Sequence, residues 1–163
     1  MPNWTIEAEP VTGTEVDEVM REYFTEMGRR LMDRTPTAAE LDHVLAKDPH
    51  ASLSPPDGAF LVARDGDGLF LGCAGLRLLP GDRTAAELKR MYVRPAGRGS
   101  GLGRGLLLAV EEAASGLGAG RVVCETNSGL TDARALYAKN GYVETAPYEG
   151  HGRADHWFAK ELH

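Results

Sequence analysis

The sequence predicts a mixed α/β (α+β) domain, with a central mixed, twisted sheet of about seven strands flanked by helices on both faces, over residues 3–163. Three observations predict it. Short apolar runs of strand length recur between turn-rich stretches. They are interleaved with stripes at helical spacing instead of falling into separate blocks. Near the middle, the strand-like run Leu88 to Val93 stops at Pro95 and passes through a glycine-dense loop. A long apolar stripe follows at helical spacing: Leu102, Leu106, Val110, Ala113 and Leu117.

Taken in order, Trp4 to Ala8 alternates apolar and polar residues and reads as a first strand. Thr14 with Asp17 resembles a capping box, so a helix is expected to run to about Asp33 with Val16, Met20, Tyr23, Phe24, Met27 and Leu31 inward. Thr37 with Glu40 caps a shorter helix ending near Ala46, whose inner face is Leu41, Val44 and Leu45. Asp48 to Asp57, with Pro55 and Pro56, is a loop that forms either a plain connector or one wall of an acceptor pocket. Ala59 to Ala63 and Leu69 to Leu79 are strands joined by Asp65-Gly66-Asp67-Gly68. A calcium loop starting at Asp65 would need an acid at its twelfth position, where Leu76 stands, so a hairpin turn is expected. Pro80-Gly81-Asp82 turns into the strand Ala86 to Arg94. Beyond the long helix come a strand (Arg121 to Glu125) and a helix capped by Thr131 and stopped by Gly141. The strands Tyr142 to Thr145 and His156 to Lys160 complete the fold.

Bulk properties narrow the function. A length of 163 residues is enough for one domain with a proper core, and 42% apolar with 26% charged residues is ordinary for a globular protein. The net charge of -6 argues against non-specific nucleic-acid binding and against anionic membranes. Cys73 and Cys124 both fall inside predicted strands and read as small core residues in a reducing compartment. With no apolar run of transmembrane length and no signal peptide, a cytoplasmic location is expected. Exposed strand edges are compatible with a homodimer.

The central loop is built to hold an anion. The first turn of a helix carries unpaired N–H groups and a positive dipole end, and glycine lets a phosphate approach the backbone. The dinucleotide pattern fails because Arg104 stands at the third glycine position, and the Walker pattern fails for want of Gly-Lys-Ser/Thr. What fits is R-x-x-G-x-G, with Arg98, Gly101 and Gly103. By itself that hexad is equally a flexible turn with surface arginines; the strand before it and the helix after it decide against that reading. Preceded by a strand and Val-Arg-Pro, it resembles the acyl-CoA pyrophosphate loop of the GNAT superfamily of N-acetyltransferases. The order of elements along nearly the whole chain is similar to that fold too.

That resemblance implies acetyl-CoA as cosubstrate, no metal, and direct acetyl transfer in a ternary complex to the primary amine of a small molecule. A protein or peptide amine, or a catalytically silent acyl-CoA-binding module, are the alternatives. It further implies that backbone of Met91, Tyr92 and Val93 holds the pantetheine arm and that Arg98, Gly99, Ser100, Gly101, Leu102, Gly103 and Arg104 hold the pyrophosphate. Glu87 falls at the strand position of a general base, a role that burial in a cleft favours by raising a carboxyl pKa. The alternative is a salt-bridged or solvated Glu87, with Lys89 and Arg90 nearby. Ala133, Leu136 and Tyr137, followed by Gly141-Tyr142, resemble the second signature of the superfamily, A-x-x-L-Y-x-x-x-G-F/Y, and put Tyr137 at the position of the acid near the departing sulfur. Where many members carry Asn, this chain has Leu130, and Asn127 is the candidate to replace that amide contact. His151, Asp155 and His156 edge the acceptor cleft or are solvated. Arg77 and Arg90, on adjacent strands, clamp an acceptor carboxylate or, more ordinarily, form ion pairs on the sheet.

Overall fold

The computed structural model describes residues 3–47, 50–148 and 154–163. Its elements are β1 (Trp4–Ala8), α1 (Thr14–Met32), α2 (Ala38–Lys47), β2 (Gly58–Asp65), β3 (Phe70–Leu79), β4 (Asp82–Val93), α3 (Leu102–Gly116), β5 (Arg121–Thr126), α4 (Thr131–Lys139), β6 (Val143–Glu144) and β7 (His156–Glu161). One seven-stranded sheet runs in the order β1-β2-β3-β4-β5-β7-β6. β4 and β5 pair in parallel, and the remaining neighbours are antiparallel. No helix among the described residues is long and apolar enough to cross a membrane.

Helices cover both faces, as the sequence predicts. On one face α3 and α4 lie over an apolar core in which Leu102, Leu106, Leu107, Val110, Ala114 and Tyr137 meet Leu76, Ala86, Leu88, Val122 and Phe158. On the other, Val16, Val19 and Met20 of α1 pack on Phe60, Val62, Phe70, Cys73 and Tyr92. The buried side of α3 includes Leu107 and Ala114 beside the expected Leu102, Leu106 and Val110, and the expected Ala113 and Leu117 pack half-buried at its margin, because the sheet contacts a broader sector of the helix than a single stripe. α1 departs too: Leu31 is 40% exposed, and the last turn of the helix meets the start of α4, where Arg30 pairs with Asp132. α2 has no fully buried residue, although Leu45 packs against the second core.

Two of the three expected caps are corrected. Gly13 caps α1 and Leu130 caps α4, so Thr14 and Thr131 are the first residues inside their helices and neither cap forms a side-chain bond. The third is as expected. The Glu40 amide donates to Thr37 Oγ1 at 3.2 Å, and the Thr37 amide donates to Glu40 Oε1 at 3.0 Å. The Asp65 turn is a hairpin closed by its own side chain, whose Oδ1 accepts from the amides of Asp67 and Leu69. Gly141 has φ 90° and ends α4 as expected.

Candidate functional site

β4 and β5 are paired over three residues only, Ala85, Ala86 and Glu87 of β4 against Arg121, Val122 and Val123. Beyond Glu87 both strands continue without pairing to each other, β4 to Val93 and β5 to Thr126. In this stretch each strand keeps its outer neighbour, β3 or β7, and the edges the two strands turn toward each other part. The cause lies in β4. Its register against β3 slips between Cys73 and Gly75, and Arg90 there takes φ 57°, a left-handed conformation that costs a non-glycine residue about 1–2 kcal/mol. The Arg90 side chain is held on the α1 face, with its guanidinium 4.9 Å from the Phe24 ring centroid and Nε 3.4 Å from His50 Nδ1.

The parted strands lead to the mouth of α3. Gly101 caps that helix with φ 76°, a conformation that a branched residue avoids, and no side chain caps the first-turn N–H groups that follow it. Gly103 answers a different need: a Cβ there would sit 3.1 Å from Leu136 Cδ2, so its absence lets α4 approach the first turn of α3. Between the two helices lies a cavity of about 460 Å³. Seven of the eleven residues expected to bind cofactor line it, namely Val93, Arg98, Gly99, Gly101, Leu102, Gly103 and Arg104. Lys139 and Asn140 join them from the end of α4. Amides, a helix dipole and three cationic side chains in one cleft can hold a polyanion such as a pyrophosphate.

Four expected residues stand apart from this cavity. Tyr92 turns its side chain to the α1 face, where its hydroxyl donates to Glu22 at 3.1 Å. Burial, and then that bond to a carboxylate, push its phenol well up. Ser100 donates its hydroxyl to the Gly97 carbonyl at 2.7 Å and stabilises the loop. Met91 packs beside the first core, and the Asn127 carbonyl accepts from the Leu130 amide in the turn that starts α4. Arg98 lines the cavity but is already paired: Nε donates to the Val93 carbonyl at 3.1 Å and Nη2 to Glu26 Oε1 at 2.7 Å.

Glu87 is 3% exposed and lies on the α1 face of the sheet. Its Oε1 accepts from Arg77 Nε at 3.0 Å and pairs with Arg77 Nη2 at 2.9 Å. Its Oε2 accepts from the Tyr148 hydroxyl at 2.8 Å. The partner is therefore Arg77 across the β3–β4 register, where Arg77 stands opposite Glu87. Tyr137 lies on the other face, with its ring 5.8 Å from Tyr142 and 5.7 Å from Phe158. Its hydroxyl makes no hydrogen bond among the described residues, and burial raises its pKa well above the ordinary phenol value, so it stays protonated. Of the acceptor-edge residues, Asp155 accepts from the Ser128 amide and hydroxyl, and His156 Nε2 lies 2.9 Å from Ser128 Oγ. His151 lies outside the described residues.

Sequence reasoning missed Lys139, Asn140, Glu26 and Tyr148. The first two sit inside the Tyr137-to-Tyr142 signature, and helical spacing from Leu136 could have placed them one turn on, beside the loop. For Glu26 and Tyr148 no local signal existed, since each meets its partner from a distant part of the chain.

A sheet with one parted parallel pair, leading to a glycine-lined anion cradle at a helix mouth, defines a class of proteins that grip a long, partly anionic ligand by backbone. Within that class the match is specific: the chain belongs to the acetyltransferase (GNAT) family, whose model matches residues 16–142. It is 33% identical over 152 residues to an IAA acetyltransferase of Azospirillum brasilense, covering 93% of this chain and 92% of that one. In fold it is similar to an acetyltransferase of the GNAT family from Staphylococcus aureus, with a TM-score of 0.76 at 17% identity, covering 98% of this chain and 99% of that chain. It is likewise similar to yncA from Salmonella typhimurium, a structure described with its cofactor acetyl-CoA. There the TM-score is 0.64 at 25% identity, covering 99% of this chain and 95% of that one.

Proposed function

We infer that the protein transfers the acetyl group of acetyl-CoA to the primary amine of a small molecule, by direct attack in a ternary complex. The observation that carries this reading is the cavity at the mouth of α3, which continues from the stretch of β4 that parts from β5 and combines first-turn amides with Arg98, Arg104 and Lys139. Its donor set suits a diphosphate, and the edge of β4 over Met91 to Val93, which pairs with β3 but not with β5, suits the amides of a pantetheine arm. The Salmonella relative, described with acetyl-CoA, supports the same ligand here.

In this reading the chain contributes three things. The loop fixes the donor so that attack is effectively unimolecular. Glu87, an acceptor with both oxygens held in place, takes up the proton that an ammonium must lose before its nitrogen can attack. Tyr137, protonated and with an uncommitted hydroxyl, donates to the departing sulfur. The near-complete burial of Glu87 favours a small acceptor over the broad surface of a folded protein.

The test is thiol release from acetyl-CoA against a panel of amines, amino acids, antibiotics and peptides, with Glu87→Gln alongside wild type. The variant is expected to lose about 10²-fold or more in kcat/KM at neutral pH, and the deficit should shrink as rising pH supplies free amine. Equal pH profiles for the two proteins would remove Glu87 from the reaction. Acetyl-CoA binding without turnover on any amine would make the protein a binding module instead.

A further inference from the structure

Nothing in the sequence marks Tyr148. It lies between β6 and β7, outside every motif, and yet its hydroxyl ends 2.8 Å from Oε2 of the carboxylate assigned to proton abstraction. Its ring is seated among Leu79, Ala85, Val123 and Ala159, a small apolar cluster on the same face as Glu87. The geometry at Glu87 leaves little room for direct work. Arg77 occupies Oε1 with two N–H groups, Tyr148 occupies Oε2, and the Glu87 side chain is only 4% exposed. On the Oε2 side the Tyr148 phenol already fills a hydrogen-bonding position that an incoming ammonium would use.

We propose that Tyr148 is the proton relay between the acceptor amine and Glu87. The inference rests on the assignment of Glu87 as base. The step balances as a concerted shift of two protons. An acceptor N–H bond breaks as its proton joins the Tyr148 oxygen, the original Tyr148 O–H bond breaks, and that proton joins Oε2 of Glu87. The phenol is neutral before and after, the carboxylate ends as a carboxylic acid, and the amine is left with the lone pair that attacks the thioester. When product leaves, the same path returns the proton to solvent.

The surroundings suit a relay that is never itself ionised. Among the described residues, the charged and titratable groups that act on Tyr148 are Glu87 on β4 and Glu125 and Cys124 on β5, Cys124 from the opposite face of the sheet, while Arg77 on β3 holds the other oxygen of Glu87. Burial, then the negative charge of Glu87, push the Tyr148 phenol far above its ordinary range. It is therefore held as a donor to Oε2 with an oxygen lone pair left over for an incoming N–H. Arg77, bound to Oε1, holds Glu87 with its other oxygen turned toward the phenol, a positioning role.

The experiment is a pH series of kcat/KM for wild type, Glu87→Gln, Tyr148→Phe and the double variant, with acetyl-CoA as donor. Two acceptors are compared: the best alkylamine of the panel, and hydroxylamine, which is neutral at pH 7 and needs no base. With the alkylamine each single variant should lose about 10²-fold, and the double variant no more than either alone, because both changes cut one path. The pH profiles of the two singles should coincide, the KM for acetyl-CoA should stay near wild type, and with hydroxylamine the loss should shrink to a few-fold. Wild-type or faster turnover in Tyr148→Phe, beside a damaged Glu87→Gln, overturns the relay while leaving Glu87 as a base that acts directly. A loss in Tyr148→Phe that is equal for both acceptors overturns it as well, because that is the signature of a structural prop. An undamaged Glu87→Gln removes the base assignment and the relay together.

Discussion

Under α3 and α4 the sheet is covered by Leu102, Leu106, Leu107, Val110 and Ala114, each buried to within about one percent of its surface. In α1 only Val19 and Met20 are buried to a similar degree, with Val16 at 6% exposure, and α2 adds none. What fastens the second half of α1 is charge. Glu22, Glu26 and Arg30 recur every four residues on one side of the helix and pair with Arg94, Arg98 and Asp132. The magnitudes differ accordingly. A fully buried leucine contributes about 1.5–3 kcal/mol, whereas a solvent-exposed ion pair contributes about 0–1 kcal/mol. The donor side is thus a fixed platform, and α1 is a helix whose far half rests on weak, exchangeable contacts. One of those contacts, Arg98 with Glu26, reaches into the donor cavity itself.

The comparison is tested most severely at Gly101. If the platform binds through backbone, Gly101→Val should abolish acetyl-CoA binding, a loss of more than about 10²-fold by isothermal titration, while circular dichroism shows the helices intact. The reason is the φ of 76°, which a β-branched residue avoids at a cost of about 1–2 kcal/mol or more, so the first-turn amides would be re-aimed. Gly101→Asn, which tolerates that conformation, should bind far better than the valine variant. Near-normal affinity in folded Gly101→Val would end the assignment of the loop. Gly103→Val should also bind poorly, by pushing Leu136 and α4 away from the cavity.

The second test lies where the platform meets the chemistry. Tyr137→Phe removes one hydroxyl that has no hydrogen-bond partner among the described residues, so the melting temperature should barely move and the KM for acetyl-CoA should hold. As the acid, Tyr137 should cost about 10²-fold in kcat, the low end of such effects, because a thiolate is already a tolerable leaving group. Burial raises the Tyr137 pKa above the normal phenol range. The wild-type rate should accordingly show no loss from phenol ionisation anywhere up to about pH 10. Turnover within twofold of wild type would leave Tyr137 as a core aromatic alone.

How much of this was legible follows the same division. The strand, loop and helix of the α3 side could be read because their determinants are local: a strand ended by Pro95, glycines at fixed offsets, and an apolar stripe that must find a sheet. Even there the reading of α3 left out Leu107 and Ala114, since one stripe was fitted to a helix buried over a wider sector. The α1 side was largely illegible. The apolar residues of α1 were read and its charged stripe was not, because the partners of Glu22 and Glu26 lie about seventy positions away and obey no spacing rule. Glu87 stood out only by its strand position. That Arg77 and Tyr148 would take its two oxygens depends on β-sheet register and on a loop sixty-one residues further along.

The smallest expected effect sharpens the comparison most, because its sign is informative. Arg98 is 48% exposed and Glu26 35% exposed at the side chain, so their pair is worth at most about 1 kcal/mol, or about fivefold in an equilibrium constant. If Arg98 meets the pyrophosphate, ligand binding must first give up that pair. Glu26→Gln removes the competitor, and the Kd for acetyl-CoA should fall a few-fold at low ionic strength. The gain should fade as salt screens the charge that Glu26 places beside the cavity. In an Arg98→Ala background the same change should do nothing, since there is no guanidinium left to release. If the pair instead serves to hold the loop in its binding shape, Glu26→Gln weakens binding and Arg98 acts from the α1 side as a strut. Isothermal titration of the four proteins in the cycle, at two salt concentrations, separates the two. A tighter Kd makes α1 a helix that the donor loosens on arrival; a weaker one makes it part of the platform after all.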